Sequence, residues 1–114
     1  MRPDSVRGHL DLVLLGVLAG GPAHGYAIIA ALRERTGGTL DLPEGSVYPA
    51  LHRLEDLGLI ESEWMPVGGR RRRQYRLTPN GADALAVEHR DWRVLVAAVE
   101  ALLRPIPQIA GGLA

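Results

Sequence analysis

The stretch that decides the fold is residues 42–77, which read LPEGSVYPALHRLEDLGLIESEWMPVGGRRRRQYRL. Its first half is a predicted helix that begins at a proline and ends at Leu57-Gly58-Leu59. One apolar stripe of this helix should face the core, and it consists of Val47, Leu51, Leu54 and Leu57. The second half of the stretch contains two segments with the period-two alternation of β-strands, joined by a Gly-Gly turn. A helix followed by a hairpin with an arginine run at its tip predicts a winged helix-turn-helix.

The basic charge of the chain is concentrated on this hairpin. The formal net charge is zero, yet five arginines and no acidic residue lie between Trp64 and Gly81. Arginine presents a planar, always-charged fork that suits phosphate and guanine edges. All 13 basic residues of the chain are arginine, which also fits a genomic composition bias. The position of the charge, rather than its total, therefore indicates a polyanionic partner such as DNA.

Composition bounds the class of protein. A chain of 114 residues with 46% apolar content suits one compact domain. The absence of cysteine excludes disulfides, thiolate chemistry and sulfur-ligated zinc. The apolar run Leu12–Ala19 is too short to span a bilayer, and the N-terminus lacks an export-type segment. We therefore expect a cytoplasmic protein with no membrane partner.

The rest of the chain is predicted to be mainly helical, so the fold class is mainly α with a small β-hairpin. Asp4 or Ser5 is a candidate cap of the first helix, and Thr78-Pro79 begins the last one. Leu40-Asp41-Leu42 is predicted to be a short extended link. In chain order, the predicted elements are helices over 7–19, 24–35, 43–57 and 78–103 and strands over 59–64 and 72–77.

The fourth helix carries a seam for a second helix. Leu85, Trp92 and Val99 recur every seven residues, with Val96 and Leu103 at the alternate spacing. The seam predicts a homodimer; packing against the chain's own first helix is the alternative, and both arrangements can coexist. The predicted organisation is a DNA-binding domain over 1–78, a dimerisation helix over 79–104 and a flexible tail over 105–114.

Several motifs together resemble the PadR-like family of transcriptional regulators. They are HGYAI at 24–28, GSVYPALHRLE at 45–55, GLI at 58–60 and GRRRRQYRLT at 69–78, followed by Gly81. Their order makes the set specific, although no single motif would be. The resemblance implies a winged-helix DNA-binding domain, a C-terminal dimerisation helix and repression of transcription. The single helix after the hairpin looks like the family's short subtype.

The candidate DNA-binding residues lie on the second and third helices and on the hairpin. The N-terminal half of the third helix would enter the major groove. Tyr48 resembles the family's DNA-facing tyrosine and Tyr26 a backbone clamp, with packing at helix junctions as the alternative for both. Arg53 would contact guanine or phosphate, or pair with Asp56 or Glu55. The full set is Tyr26, Ser46, Tyr48, Pro49, His52, Arg53, Gly69, Arg70, Arg71, Arg72 and Arg73.

The arginine run 70–73 must divide between two faces, because alternate side chains of a strand point in opposite directions. The even-numbered arginines form one set and the odd-numbered arginines the other. One set would face phosphates or the minor groove. The other would pair with Glu61 and Glu63 on the neighbouring strand, unless the run is simply a solvated charge cluster.

Trp92 is the candidate ligand-binding residue. In a two-fold dimer it would either pack at the interface or stack a planar effector, as in some multidrug-sensing relatives; its neighbours Leu95 and Val96 favour packing. The four histidines include no pair at i, i+4 spacing, so we predict no metal site, no cofactor and no catalytic residue. The rival functions are a ligand- or metal-sensing regulator and a winged-helix module that binds protein.

Overall fold

The computed structural model of the chain describes residues 8–107, and within this range it confirms the predicted architecture. The elements in chain order are α1 (Leu10–Leu18), β1 (Ala23–His24), α2 (Gly25–Arg35), α3 (Glu44–Asp56), β2 (Ile60–Val67), β3 (Arg70–Leu77) and α4 (Pro79–Leu103). The three strands form one antiparallel sheet in the order β1–β3–β2.

Local signals set the helix ends. The side chain of Thr78 accepts a hydrogen bond from the Gly81 N–H at 3.0 Å, and Pro79 occupies the first turn, as predicted. The φ angles of Gly37 and Gly38 are 60° and 87°, the left-handed region that a glycine C-cap requires. Pro43 is the N-cap of α3 rather than its first helical residue.

Three helices and the sheet enclose the core. Each large aliphatic side chain that is fully buried there contributes on the order of 1.5–3 kcal/mol. Leu57, which we expected on the buried stripe of α3, is instead the C-cap residue of that helix, and its side chain is exposed. The buried residues are Leu14, Leu15, Leu18, Ile28, Ile29, Leu32, Leu42, Val47, Ala50, Leu51, Leu54, Ile60 and Tyr75.

The hairpin is longer than the alternation predicted. β2 and β3 pair from Ile60 opposite Leu77 to Val67 opposite Arg70, so the ladder continues to the turn. Gly68 and Gly69 form that turn with φ angles of 56° and 78°, which side-chain-bearing residues rarely adopt. β1 was not predicted, since two residues are too few for a periodicity to show.

Some predictions fall at the edges of the described range. The candidate caps Asp4 and Ser5, the start of the first helix at Arg7 and residues 108–114 of the tail lie outside it. Leu40-Asp41-Leu42 is not part of a strand. None of the helices within residues 8–107 is long and apolar enough to cross a membrane.

Candidate nucleic-acid interface

The face of α3 opposite the core is open to solvent. Val47, Ala50, Leu51 and Leu54 turn inward and hold the helix in place. The predicted contact residues on the other faces are accessible, Tyr48 being half-buried and Ser46, Pro49, His52 and Arg53 exposed. A helix fixed on one side and free on the other can enter a groove without unpacking the domain.

A cavity of about 180 Å³ lies between the start of α2, the first half of α3 and β3. A Cβ on Gly25 would lie 2.6 Å from the Tyr48 ring, so the glycine permits the close packing of α2 on α3. The cavity brings together four predicted DNA-contact residues from three separate elements. It is lined by His24, Gly25, Tyr26, Tyr48, Arg72, Arg73 and Tyr75.

The phenols at this cavity keep their protons at neutral pH. A side-chain hydrogen bond to Glu44 raises the pKa of Tyr26, and burial raises the pKa of Tyr48. The Arg72 guanidinium lies 5.6 Å from the centre of the Tyr26 ring, which is a cation–π distance. Tyr26 is 55% exposed, so the alternative that it packs in the core is wrong.

The odd-numbered wing arginines share the face of Trp64. Arg73 lies directly opposite Trp64 in the ladder, and the guanidinium carbons of Arg71 and Arg73 lie 5.4 and 5.5 Å from the tryptophan ring. Arg73 Nε also donates to Ser62 Oγ at 2.6 Å, and Ser62 Oγ donates to Glu55 Oε2 at 2.6 Å. Arg73 is therefore tied to the C-terminal half of α3 through Ser62 and Glu55.

The expected pairing of wing arginines with Glu61 and Glu63 is wrong. Both glutamates bind Arg76, at 2.8 Å to its Nε and 2.9 Å to its Nη1. Arg76 stands directly opposite Glu61 in the ladder, so the strand register decided the pairing. These hydrogen bonds raise the pKa of Arg76. The acidic side chains of β2 are thus neutralised without using the arginine run 70–73.

The expected pairing of Arg53 with Asp56 or Glu55 is also wrong. Arg53 forms a forked ion pair with Asp11 of α1, with Nη1 at 3.0 Å from Oδ2 and Nη2 bound to Oδ1. Glu55 instead accepts from Ser62. The pair joins residues on two helices that meet only in the folded chain, and it raises the pKa of Arg53.

Replacing Asp11 with Asn should lower the free energy of unfolding by less than about 1 kcal/mol, because both partners are partly exposed. The measurement is urea unfolding followed by circular dichroism. Asp41→Asn is the matched control, since its pair with Arg33 is more exposed and longer, at 3.4 Å. A loss above about 2 kcal/mol for Asp11→Asn would mean that the fork is a structural pair.

Two residues at this surface were missed by the sequence patterns. Trp64 was assigned to a strand without its arginine contacts, and Tyr75 was assigned to β3 without its place at the cavity. The exposed tryptophan beside an arginine run was the available signal for the first. No local pattern marks the second, because the cavity is assembled from three elements.

The fourth helix has a packed half and an open half. Its start contacts the core through Ala84 and Leu85, and Trp92 packs edge-on against His9, with ring centres 4.8 Å apart. Packing against the chain's own first helix, one of the two alternatives, therefore occurs. Beyond Trp92, Val96 is half-buried while Val99 and Leu103 are exposed.

The metal alternative has no site in the described part of the chain. No group of three His, Asp or Glu side chains in residues 8–107 is placed to hold an ion.

The winged helix-turn-helix, with an open α3 face beside a basic hairpin, defines a DNA-binding class of protein. The chain belongs to the transcriptional regulator PadR-like family, whose sequence profile matches residues 14–87. This match confirms the resemblance carried by the motifs. Members of the family are transcriptional regulators and not enzymes.

Individual relatives support the same assignment. A transcriptional regulator from Clostridium thermocellum is 28% identical, with a TM-score of 0.83 over 91% of this chain and 99% of that one. A PadR family transcription regulator from Clostridium difficile is 32% identical, with a TM-score of 0.75 over 84% of this chain and 99% of that one. The transcriptional regulator YqjI of Escherichia coli is 36% identical over 110 residues, which are 90% of this chain and 50% of that regulator. The chain thus spans about half the length of YqjI.

Proposed function

We propose that the chain represses transcription in the cytoplasm by binding a pseudo-palindromic operator as a homodimer. The single observation that carries the proposal is the cavity that places Tyr26, Tyr48, Arg72 and Arg73 around one point. The recognition helix and the basic wing therefore share one side of the domain. A duplex lying on that side would meet both at once.

The α3 helix would occupy the major groove, which is about 12 Å wide and admits one helix. Ser46 would donate to a phosphate near the helix N-terminus, and Tyr48 would reach the neighbouring sugar and phosphate. Pro49 and His52 would lie one turn further into the groove, Pro49 offering an apolar contact to a thymine methyl. Arg53 would have to exchange Asp11 for DNA, so its contribution is the difference between two charged partners.

The β2–β3 hairpin, which is the wing, would contact the DNA backbone on one side of the groove. The Arg72 guanidinium lies over the Tyr26 ring, beside α3. This position favours the even-numbered arginines as the phosphate contacts, together with Gly69 at the turn. Arg73 is held by Ser62 and Glu55, so its role would be to fix the wing against α3. This division leaves Arg71 as the cation held on Trp64 near the tip of the hairpin.

The homodimer is supported by the open half of α4. Residues 94–103 contain one charged side chain, Glu100, and large apolar side chains on several faces. Leu102 and Leu103 are 84% and 71% exposed. A helix that is apolar all round is normally buried, and a second copy would supply the cover. The two α3 helices would then meet half-sites about one helical turn apart, roughly 34–36 Å.

An effector site at Trp92 is not part of the proposed function. His9 already covers one edge of the indole, and the remaining 39% exposure fits an interface side chain. Packing between subunits is therefore the role we assign to Trp92, together with Leu85, Val96, Val99 and Leu103.

Replacing all four of Arg70, Arg71, Arg72 and Arg73 with alanine should weaken binding to every duplex, because phosphate contacts carry no sequence information. If two arginines contact phosphates, the plot of log K against log salt should become less steep by about 2. The affinity at low salt should fall by roughly tenfold to a hundredfold. Fluorescence anisotropy over a salt series measures both quantities, using a fragment from upstream of the gene and an unrelated duplex.

Two further variants show whether the wing and the helix have different roles. Arg76→Ala removes a wing arginine already neutralised by Glu61 and Glu63, so it should leave the salt slope nearly unchanged. His52→Ala removes a side chain that would lie in the groove near the base edges, so it should weaken binding to the upstream fragment more than binding to the unrelated duplex. Unchanged affinity of the four-alanine variant at low salt would exclude the wing as a DNA contact.

A further inference from the structure

All three tyrosines of the chain meet at the cavity between α2, α3 and β3. Tyr75 differs from the other two because its side chain is in the core and only 4% exposed. Its hydroxyl has no hydrogen-bond partner among residues 8–107. Among residues 8–107, every fully buried polar side-chain atom has a hydrogen-bond partner. Because the Tyr75 hydroxyl has none, it is not fully buried, and it opens into the cavity that Tyr75 lines.

The groups around this hydroxyl are hydrogen-bond donors and cations. Tyr48 adds a second phenol, and Arg72 and Arg73 add guanidinium groups. The start of α2 also lines the cavity, at Gly25 and Tyr26, and of its first N–H groups that of Ala27 donates to the cap His24 Nδ1 at 3.2 Å. The helix dipole adds a partial positive charge at the same point.

The acidic groups nearby leave the cavity free. Glu44 is exposed and is not one of the residues that line it. Glu55 accepts from Ser62 and pairs with Arg73 at 3.7 Å. Burial raises the pKa of Tyr75, so this phenol is a donor at neutral pH. The cavity therefore presents donors and positive charge with no free carboxylate among its lining residues.

We propose that this cavity is a binding site for a phosphate group, with Tyr75 as the donor at its base. In a complex with DNA the phosphate is one backbone phosphate of each half-site, and a volume of about 180 Å³ also accommodates part of the adjoining sugar. This inference rests on the proposed function and extends it. The bound phosphate joins α2, α3 and β3, so it fixes the wing relative to the recognition helix.

The test is Tyr75→Phe, which removes one oxygen and keeps the buried ring. Anisotropy is measured against a set of duplexes in which each phosphate in turn is replaced by a neutral methylphosphonate. Losing one hydrogen bond to a charged acceptor should weaken the unmodified duplex about tenfold. At one position per half-site, the variant should also become insensitive to the methylphosphonate that weakens the wild-type protein.

Two controls distinguish binding from folding. Thermal unfolding of Tyr75→Phe should match the wild type, because its hydroxyl has no partner in the protein. Thr39→Val removes an exposed hydroxyl that does not line the cavity, and it should change the affinity by less than about twofold. Wild-type affinity in Tyr75→Phe, or an equal loss at every methylphosphonate position, would overturn the inference.

A second arm separates the DNA phosphate from free phosphate. Inorganic phosphate is titrated into each protein without DNA while the Gly25 amide is followed by NMR. A shift in the wild type that Tyr75→Phe abolishes supports the phosphate site, even if the chain binds no duplex and the proposed function fails. Such a shift combined with duplex binding that is independent of Tyr75 would overturn the assignment to the DNA backbone.

Discussion

Replacing Val96 and Val99 together with aspartate is expected to convert a dimer into a monomer and to remove tight operator binding. Both valines lie on the seam of α4 near Trp92, on the half of the helix that the domain leaves open. A carboxylate buried in an apolar interface costs several kcal/mol, and the two-fold axis applies each change twice. Losing the second half-site should lower operator affinity by roughly a hundredfold to ten-thousandfold.

The matched control is the double variant of Val87 and Val94 to aspartate. These valines are 46% and 65% exposed on the same helix, but at 100° per residue they lie on the side opposite the seam. Analytical ultracentrifugation gives the mass, and anisotropy gives the affinity for a two-site and a one-site duplex. A monomeric wild-type protein, or equal effects of the two double variants, would contradict the assigned seam.

The physical basis of this prediction is the composition of the end of α4. Ten residues, 94–103, span about 15 Å and include only one charge, so no polar face exists for solvent. The domain itself covers only the first half of α4, through Gly81, Ala84 and Leu85. Apolar surface left in this way usually marks an interface.

Replacing Gly81 with alanine should lower the free energy of unfolding by roughly 2–4 kcal/mol, or prevent folding. Gly81 is buried in the first turn of α4, where a Cβ would lie 2.8 Å from the carbonyl carbon of Leu59. The overlap with the Leu59 carbonyl group, including its oxygen, is serious because these are backbone atoms, whereas the contact at 3.2 Å is with Leu77 Cδ2, the end of a side chain that can shift. No rotamer change can relieve the backbone overlap, so α4 must move away from the start of β2.

The intrinsic preference of alanine for helices opposes this loss but is too small to cancel it, at about 1 kcal/mol. Gly45→Ala is the matched control, because Gly45 is exposed in the first turn of α3 with no atom within 4 Å of the added Cβ. It should stabilise the chain by up to about 1 kcal/mol. Guanidinium unfolding measures both variants, and similar midpoints would show that Gly81 tolerates a side chain.

Much of the fold could be predicted because its signals are local. The Thr78-Pro79 start of α4, the Gly37-Gly38 end of α2 and the Gly68-Gly69 turn each act within four residues. The apolar stripe of α3 also has a fixed spacing, and all its buried members except Ala50 were expected. The prediction for Leu57 was wrong because α3 ends at Asp56, one residue before the end of the apolar stripe.

The ion pairs could not be predicted, since each depends on a distance along the chain that no pattern encodes. Asp11 and Arg53 are 42 residues apart and meet only because α1 lies beside α3. Arg76 forms ion pairs with both glutamates of β2 because the turn sets the register of the hairpin. The same holds for β1, whose two residues form a strand only where β3 offers an edge.

Sequence alone determined the order of the helices, the hairpin, the family and the concentration of arginine at the wing, because helix periodicity, glycine turns and charge position are properties of neighbouring residues. Only the tertiary structure decided which arginines are neutralised, that Tyr75 joins Tyr26 and Tyr48 at one cavity, and which half of α4 is left open. Those features arise where separate elements meet, and their energies depend on packing and register rather than on local composition.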